Sequence, residues 1–458
     1  MSQIREKDCF QTQRTMVDWH LANRSPSLEA CAGAGEENVL KFRWSYIAAV
    51  VMAAAAIAAW FFNNSGSYAG QLEYWVFGLA LAALIPLAQA INDVTESLAP
   101  YLGKVARGLI EATFSNVPEI AIGVFLLIKA HESATLLDTN FVIIRGLLIG
   151  SVINNALLVL GSSVTFGALR NGRMKFDADQ AAGFASMLAL AVVGLALPTL
   201  AAGFAKVHSA GNEEAASLVV SAILLFTYVM YVGASTFGWG EKVRSTPKKG
   251  SADGKGEGEG EEEEVEDEET RKHMEADAAE AERHARARAR RHELRREKPL
   301  AIPIGFLALA FFTGIIALMA YLFVGVTDNV IAKTPLTPLS VGLILFPIVC
   351  NLGELIAAFR GSWANDMDSA MNVAAGSSVQ VPLFVTPALV FISAILAGAA
   401  AGNVLTLIFN PIELIVVGLV TFVYALVNLD GETTWLEGVQ LLAFYLMIAV
   451  TAFVLPGR

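Results

Sequence analysis

The chain has 458 residues, of which 55% are hydrophobic and 16% charged, with a formal net charge of −11. That balance excludes a string of soluble domains and indicates a polytopic membrane protein. The negative charge is concentrated in one hydrophilic stretch, which argues against a nucleic-acid partner, and Cys9, Cys31 and Cys350 lack the paired spacing of a disulfide framework or zinc site.

Residues 1–43 are polar and of mixed charge, and read as a cytosolic tail without a cleavable signal peptide. The first apolar run, 44–63, is then an extra N-terminal transmembrane helix. A window of about 20 residues, which crosses roughly 30 Å of hydrocarbon, finds about eleven spans. They lie near 45–62, 74–98, 104–129, 141–166, 178–204, 214–237, 301–327, 337–360, 367–398, 407–428 and 433–455. The ten-residue alternation of a membrane barrel is missing, so the expected fold class is all-α.

After the extra helix, residues 74–237 hold five spans and 300–455 five more, separated by a hydrophilic linker over 238–299. The linker passes through GEGEGEEEEVEDEE at Gly256–Glu269 and ends in the basic run Arg283–Lys298. Its acidic part is expected to be disordered. Clusters of Lys and Arg at Arg170, Arg173 and Lys175, on both flanks of the linker, and at Arg360 place the N-terminus and the linker in the cytosol. The two groups of five then enter the membrane from opposite sides. This is an inverted-topology repeat, with a substrate site expected at the bilayer midplane between the halves.

The sequence echoes itself accordingly. Asn116-x-x-Glu119 in the third span is followed by GSVINN at Gly150–Asn155, and Asn351-x-x-Glu354 in the eighth by GSSVQ at Gly376–Gln380. Asn and Glu three residues apart share a helical face. A carboxylate in mid-membrane costs about 2.5 kcal/mol or more and normally marks an ion or proton path. Asn154, Asn155, Ser151, Ser377 and Ser378 are further polar candidates, which can equally serve as interhelical glue. Pro118 is expected to interrupt its helix and free a carbonyl near Phe114 or Ser115, with Gly353 loosening the equivalent place beside Cys350. Carboxylates, amides and freed carbonyls are the hard oxygen set that Ca²⁺ prefers.

These motifs resemble the Ca²⁺/H⁺ antiporter family of the Ca²⁺/cation exchanger superfamily. The likeness spans about residues 75–455 and includes IPLAQAINDVTESLA at Ile85–Ala99, GLIEATFSNVPE at Gly108–Glu119, GSVINNALLVLG at Gly150–Gly161, AAGSSVQVPLFVTP at Ala374–Pro387 and TWLEG at Thr434–Gly438. It implies that Glu119 and Glu354 bind Ca²⁺ in exchange for protons, helped by Asn116, Asn351 and nearby carbonyls. Asn154, Gln380 and Ser377 would complete the binding region, with Glu96 and Asp93 on an access path. The long helices near 74–98 and 301–327 would move between inward-open and outward-open states. The chain departs from the family pattern at Ser115 and Cys350, where glycine is usual, at Pro118, Gly353 and Leu355, and at Tyr321, where an acidic residue is expected.

The expected activity is therefore secondary transport of cytosolic Ca²⁺ against H⁺, with no cofactor and no ATP-binding P-loop. The transported ions and the lipid bilayer are its expected partners, and a homo-oligomer is allowed for. A Na⁺/Ca²⁺-type exchanger, a cation channel and an intramembrane metalloenzyme are the alternatives; the last lacks a His-Glu-x-x-His motif. The vacuolar membrane is the favoured location, or the plasma membrane if the source is prokaryotic.

Overall fold

The computed structural model describes residues 28–65, 70–98, 101–102, 110, 113–205, 210–237, 302–398, 403–428 and 430–454. The linker 238–299 and the first 27 residues of the expected tail lie outside them. Helix α1, Leu28–Asn64, begins well inside the segment expected to be tail; its side chains are described from Tyr46.

The first half comprises α2 (Glu73–Leu98), α3 (Val117–Glu132), α4 (Ala134–Ile153), α5 (Leu160–Asn171), α6 (Ala178–Ala205) and α7 (Ala210–Phe237). A π-helical turn, Asn154–Val159, joins α4 to α5 as one long apolar element. The second half opens with α8 (Ile302–Lys333) and continues through α9 (Pro338–Ser340), a π-helical turn Val341–Leu345, and α10 (Phe346–Cys350). Next come α11 (Leu352–Trp363) and α12 (Met367–Gln380), the latter running through a π-helical turn Val381–Val385 into α13 (Thr386–Ala397). The half closes with α14 (Pro411–Val427) and α15 (Trp435–Val454).

Among the described residues eight elements are long and apolar enough to cross a membrane, and a ninth forms if the pair α9–α10 and α11, bent by 51°, counts as one span. Two of the eleven expected spans fall short of that measure: α14 has 17 residues and α3 has 16. The all-helical expectation needs one small amendment. Strands β1 (Met174–Lys175) and β2 (Glu432–Thr433) pair antiparallel, with Glu432 also accepting ion pairs from Arg173 at 3.1 Å and Lys175 at 3.5 Å.

Both halves share one local event. The helix that reaches Ser115 ends at Asn116 (φ −99°, ψ 14°), and α10 ends at Asn351 (φ −93°, ψ 9°). Both asparagines sit in the sparsely populated bridge region, and a new helix starts at the next residue. Pro118 is therefore the second residue of α3, not an interruption within a helix. At that position its missing N–H has no intrahelical partner to lose and its fixed φ suits the helix, which corrects the expectation that proline itself breaks the ladder. Gly353 holds the matching place in α11.

Glycines let the halves approach. A Cβ added at Gly150 would run into the Leu343 carbonyl and the Pro347 ring, and one at Gly342 into the Ile143 carbonyl. Close backbone approach through small residues is the usual way to pack membrane helices. Here it presses α4 against the segment leading to Asn351. The TWLEG motif is also structural: Glu437 accepts from the Thr434 N–H at 2.8 Å, while Gly438 leaves room for the backbone of Thr165.

Between α13 and α14 the chain runs without helix over residues 403–410, so the last-but-one span starts later than expected. Buried irregular backbone is tolerated in a membrane protein only if its polar groups are satisfied. Side chains of α4, α6, α7 and α13 do so. The Leu405 N–H bonds Ser393 Oγ at 2.7 Å, Leu407 N–H bonds Ser217 Oγ at 2.9 Å, Phe409 N–H bonds Thr199 Oγ1 at 3.0 Å, and Arg145 Nε donates to the Thr406 carbonyl at 3.0 Å.

Candidate cation site

The two helix breaks lie where the halves meet. Asn116 Nδ2 donates to Gln380 Oε1 at 2.9 Å, and Ser115 Oγ donates to the same oxygen at 3.3 Å. In the other half Asn351 Oδ1 accepts from Asn155 Nδ2 at 3.2 Å, while Asn351 Nδ2 donates to the Pro347 carbonyl at 2.8 Å and to Ser151 Oγ at 3.4 Å. Each break is thus braced by an amide from the opposite half. One turn beyond each asparagine stands a glutamate. Glu119 is 1% exposed and Glu354 4%, deep enough that solvent cannot screen either charge.

Ser377 Oγ donates to Glu354 Oε1 at 2.6 Å. Asn155 also reaches the Glu354 carboxyl group, and the charges of Glu119 and Glu354 act on one another and on Cys350. Around these residues, five buried oxygens have no hydrogen-bond partner among the described residues: both carboxylate oxygens of Glu119, Oε2 of Glu354, and Oδ1 of Asn154 and of Asn155. Buried acceptors left this way are costly, ionised carboxylates most of all. A cation or protons delivered to this place would relieve that cost. Among the described residues no group of three or more His, Cys, Asp or Glu converges, so any cation held here is shared between two carboxylates and neutral oxygens.

The expected residues separate into those joined here and those that are not. Asn116, Gln380, Asn351, Glu354 and Ser377 take part in the bonds above, and Cys350, a buried free thiol, ends α10 directly before Asn351. Asn154 is buried beside Asn155, but Asn155 makes the contact to Asn351. Ser115 acts through its hydroxyl, and Phe114 packs half-buried against the core. Glu96 is exposed near the end of α2 and Asp93 half-buried one turn before it. Tyr321 is exposed and meets Phe125 edge-on at 5.7 Å.

Asn92 escaped the sequence reading. Its Nδ2 would lie 3.2 Å from a Cβ added at Gly353, so the side chain comes up against the start of α11, next to Glu354. In sequence it stands among other polar residues, between Gln89 and Asp93 in the last turns of α2, and nothing there set it apart.

Comparison with known proteins agrees with this architecture. The Ca²⁺/H⁺ antiporter of Synechocystis sp. is 30% identical over 399 residues, covering 84% of this chain and 93% of that protein. The vacuolar calcium ion transporter of Schizosaccharomyces pombe is 28% identical over 420 residues, covering 92% and 87%. The structure of native YfkE superimposes with a TM-score of 0.65 at 22% identity, covering 90% of this chain and 99% of that one. That of the H⁺/Ca²⁺ exchanger CAX gives 0.58 at 14% identity, covering 91% and 90%; both likenesses speak for the fold. The family of sodium/calcium exchanger proteins matches residues 72–237 and 304–454, which takes in both helix breaks and both glutamates, and the chain belongs to that family.

Proposed function

We propose that the chain exchanges cytosolic Ca²⁺ for protons by alternating access, with Glu119 and Glu354 as the shared ion site. The observation that carries this reading is the set of five unpartnered oxygens on Glu119, Glu354, Asn154 and Asn155, gathered where helices of both halves break or widen. Ca²⁺ takes six to eight oxygens in a flexible shell. The two carboxylates and two amide oxygens supply most of that shell, and carbonyls near the breaks at Asn116 and Asn351 the rest.

Charge balance makes exchange possible. One Ca²⁺ or two protons each neutralise the carboxylate pair, so the site crosses the membrane loaded with either but not empty and doubly charged. Ser377 fixes the Glu354 carboxylate, and Gln380 fixes Asn116. Neutral amides at Asn154 and Gln380, instead of further carboxylates, favour protons over sodium as the counter-ion. The relatives named as Ca²⁺/H⁺ antiporters and a vacuolar calcium transporter support the same substrate pair. The vacuolar transporter among these relatives favours a vacuolar membrane, or the plasma membrane if the source is prokaryotic, and the distribution of Lys and Arg favours a cytosolic N-terminus and linker.

Ca²⁺ flux in proteoliposomes under an imposed pH gradient tests the reading. Glu119→Gln and Glu354→Gln should each cut gradient-driven flux by at least about tenfold, since each removes a charge that both cargoes need. Full flux in either variant, or flux driven by a sodium gradient instead, would refute it.

A further inference from the structure

Helix α8 is divided in its chemistry. Ile302–Ala320 contains no ionisable side chain, whereas the last turns carry Asp328, Asn329 and Lys333. Two elements fasten that charged end. From α2, Glu73 accepts from Asn329 Nδ2 at 2.9 Å and pairs with Lys333. From α3, Lys129 Nζ pairs with Asp328 Oδ2 at 2.8 Å and donates to the carbonyls of Val324 at 2.7 Å and Gly325 at 3.3 Å. One turn earlier on α3, Phe125 meets Tyr321 of α8. At the uncharged end the described contacts of α8 are apolar: Gly305 against Leu98, and Phe312 stacked on Tyr46 at 5.3 Å.

The two ion pairs differ in what they join. Glu73–Lys333 links the two long helices to each other, so it survives if they move together. Lys129–Asp328 links them to α3, the helix that begins beside Glu119. Any motion of α8 past the ion site must separate Lys129 from its three oxygens on α8. The side chains of Lys129 and Asp328 are only 16% and 21% exposed, so the pair is screened less than a surface one.

We propose that Lys129 and Asp328 are positioning residues for exchange: their ion pair is a releasable latch that holds the charged end of α8 shut over the site. Its release opens the site to the face of the membrane on which Lys129 lies. This inference rests on the alternating-access reading above. It explains why the strong contacts of α8 gather at one end, and why Lys129 directs its donors to the moving helix.

Cys350 provides the probe, because it is buried at the end of α10, directly before Asn351 at the helix break, and becomes the sole thiol once Cys9 and Cys31 are replaced by serine. A maleimide that does not cross the bilayer is added to each face of oriented vesicles in turn. Lys129→Gln and Asp328→Asn should each speed Cys350 labelling from the Lys129 face at least about fivefold, the low end of typical coupling between conformational states. Labelling from the opposite face should slow. The charge swap Lys129→Asp with Asp328→Lys should bring both rates back toward the parent. Unchanged labelling, a rise from both faces, or a swap that restores nothing would overturn the latch. Ca²⁺/H⁺ flux of the parent chain in the same vesicles separates the two levels. Exchange with unaltered labelling removes only the latch, and absent exchange removes the alternating-access reading itself.

Discussion

Glu119 and Glu354 occupy matching places in the two halves but are unequal partners. Ser377 grips one oxygen of Glu354, whereas neither oxygen of Glu119 has a hydrogen-bond partner. Under the proposed exchange, Glu354 is then expected to be the prepared ligand and Glu119 the one that adjusts as cargo changes. Groups that orient a metal ligand commonly contribute tenfold to a hundredfold in affinity. Ser377→Ala should therefore weaken Ca²⁺ binding by about tenfold, read by calorimetry on purified protein, while leaving expression close to normal. At this scale the sequence was informative about which residue types matter. Residue types alone could not choose between Asn154 and Asn155. The family resemblance pointed to Asn154, whereas Asn155 makes the contact to Asn351; both lie in the π-helical turn, whose residue spacing departs from that of an ordinary α-helix.

Breaks and widenings give the helices their use. The repeated Asn-x-x-Glu and Gly-Ser motifs identified both halves, because a polar pair in an apolar span is conspicuous against the cost of burying it. The proline misled: next to an asparagine already in the bridge region, it starts a helix and does not interrupt one. Gly150 and Gly376 likewise look equivalent in sequence, since both open the same motif. In space they differ. A methyl group at Gly150 would meet the Leu343 carbonyl, whereas nothing lies within 4 Å of one at Gly376. Gly150→Ala should destabilise the protein by about 1–3 kcal/mol through overpacking. It should also abolish exchange by pushing Asn155 away from Asn351. Gly376→Ala should leave both the melting temperature and the flux close to the parent values.

For the whole molecule, the division into two apolar blocks around a hydrophilic linker was readable from hydropathy and the doubled motif, and the family match falls on residues 72–237 and 304–454. The helix-free run at 403–410 was not readable, because its apolar residues imitate the start of a span. Nor was the bracing across the halves, in which Gln380 of the second half holds Asn116 and Asn155 of the first holds Asn351. That exchange of supports bears on how such a chain can be divided. Neither block owns a finished site, yet these braces between the blocks are non-covalent. Cutting the gene within the codons for residues 238–299 should yield two polypeptides that are each inert in Ca²⁺ flux and recover exchange when produced together. Flux from one piece alone would contradict the arrangement. A working ancestor built from a single block would on these grounds have been an antiparallel pair of identical chains, each supplying the other with an amide.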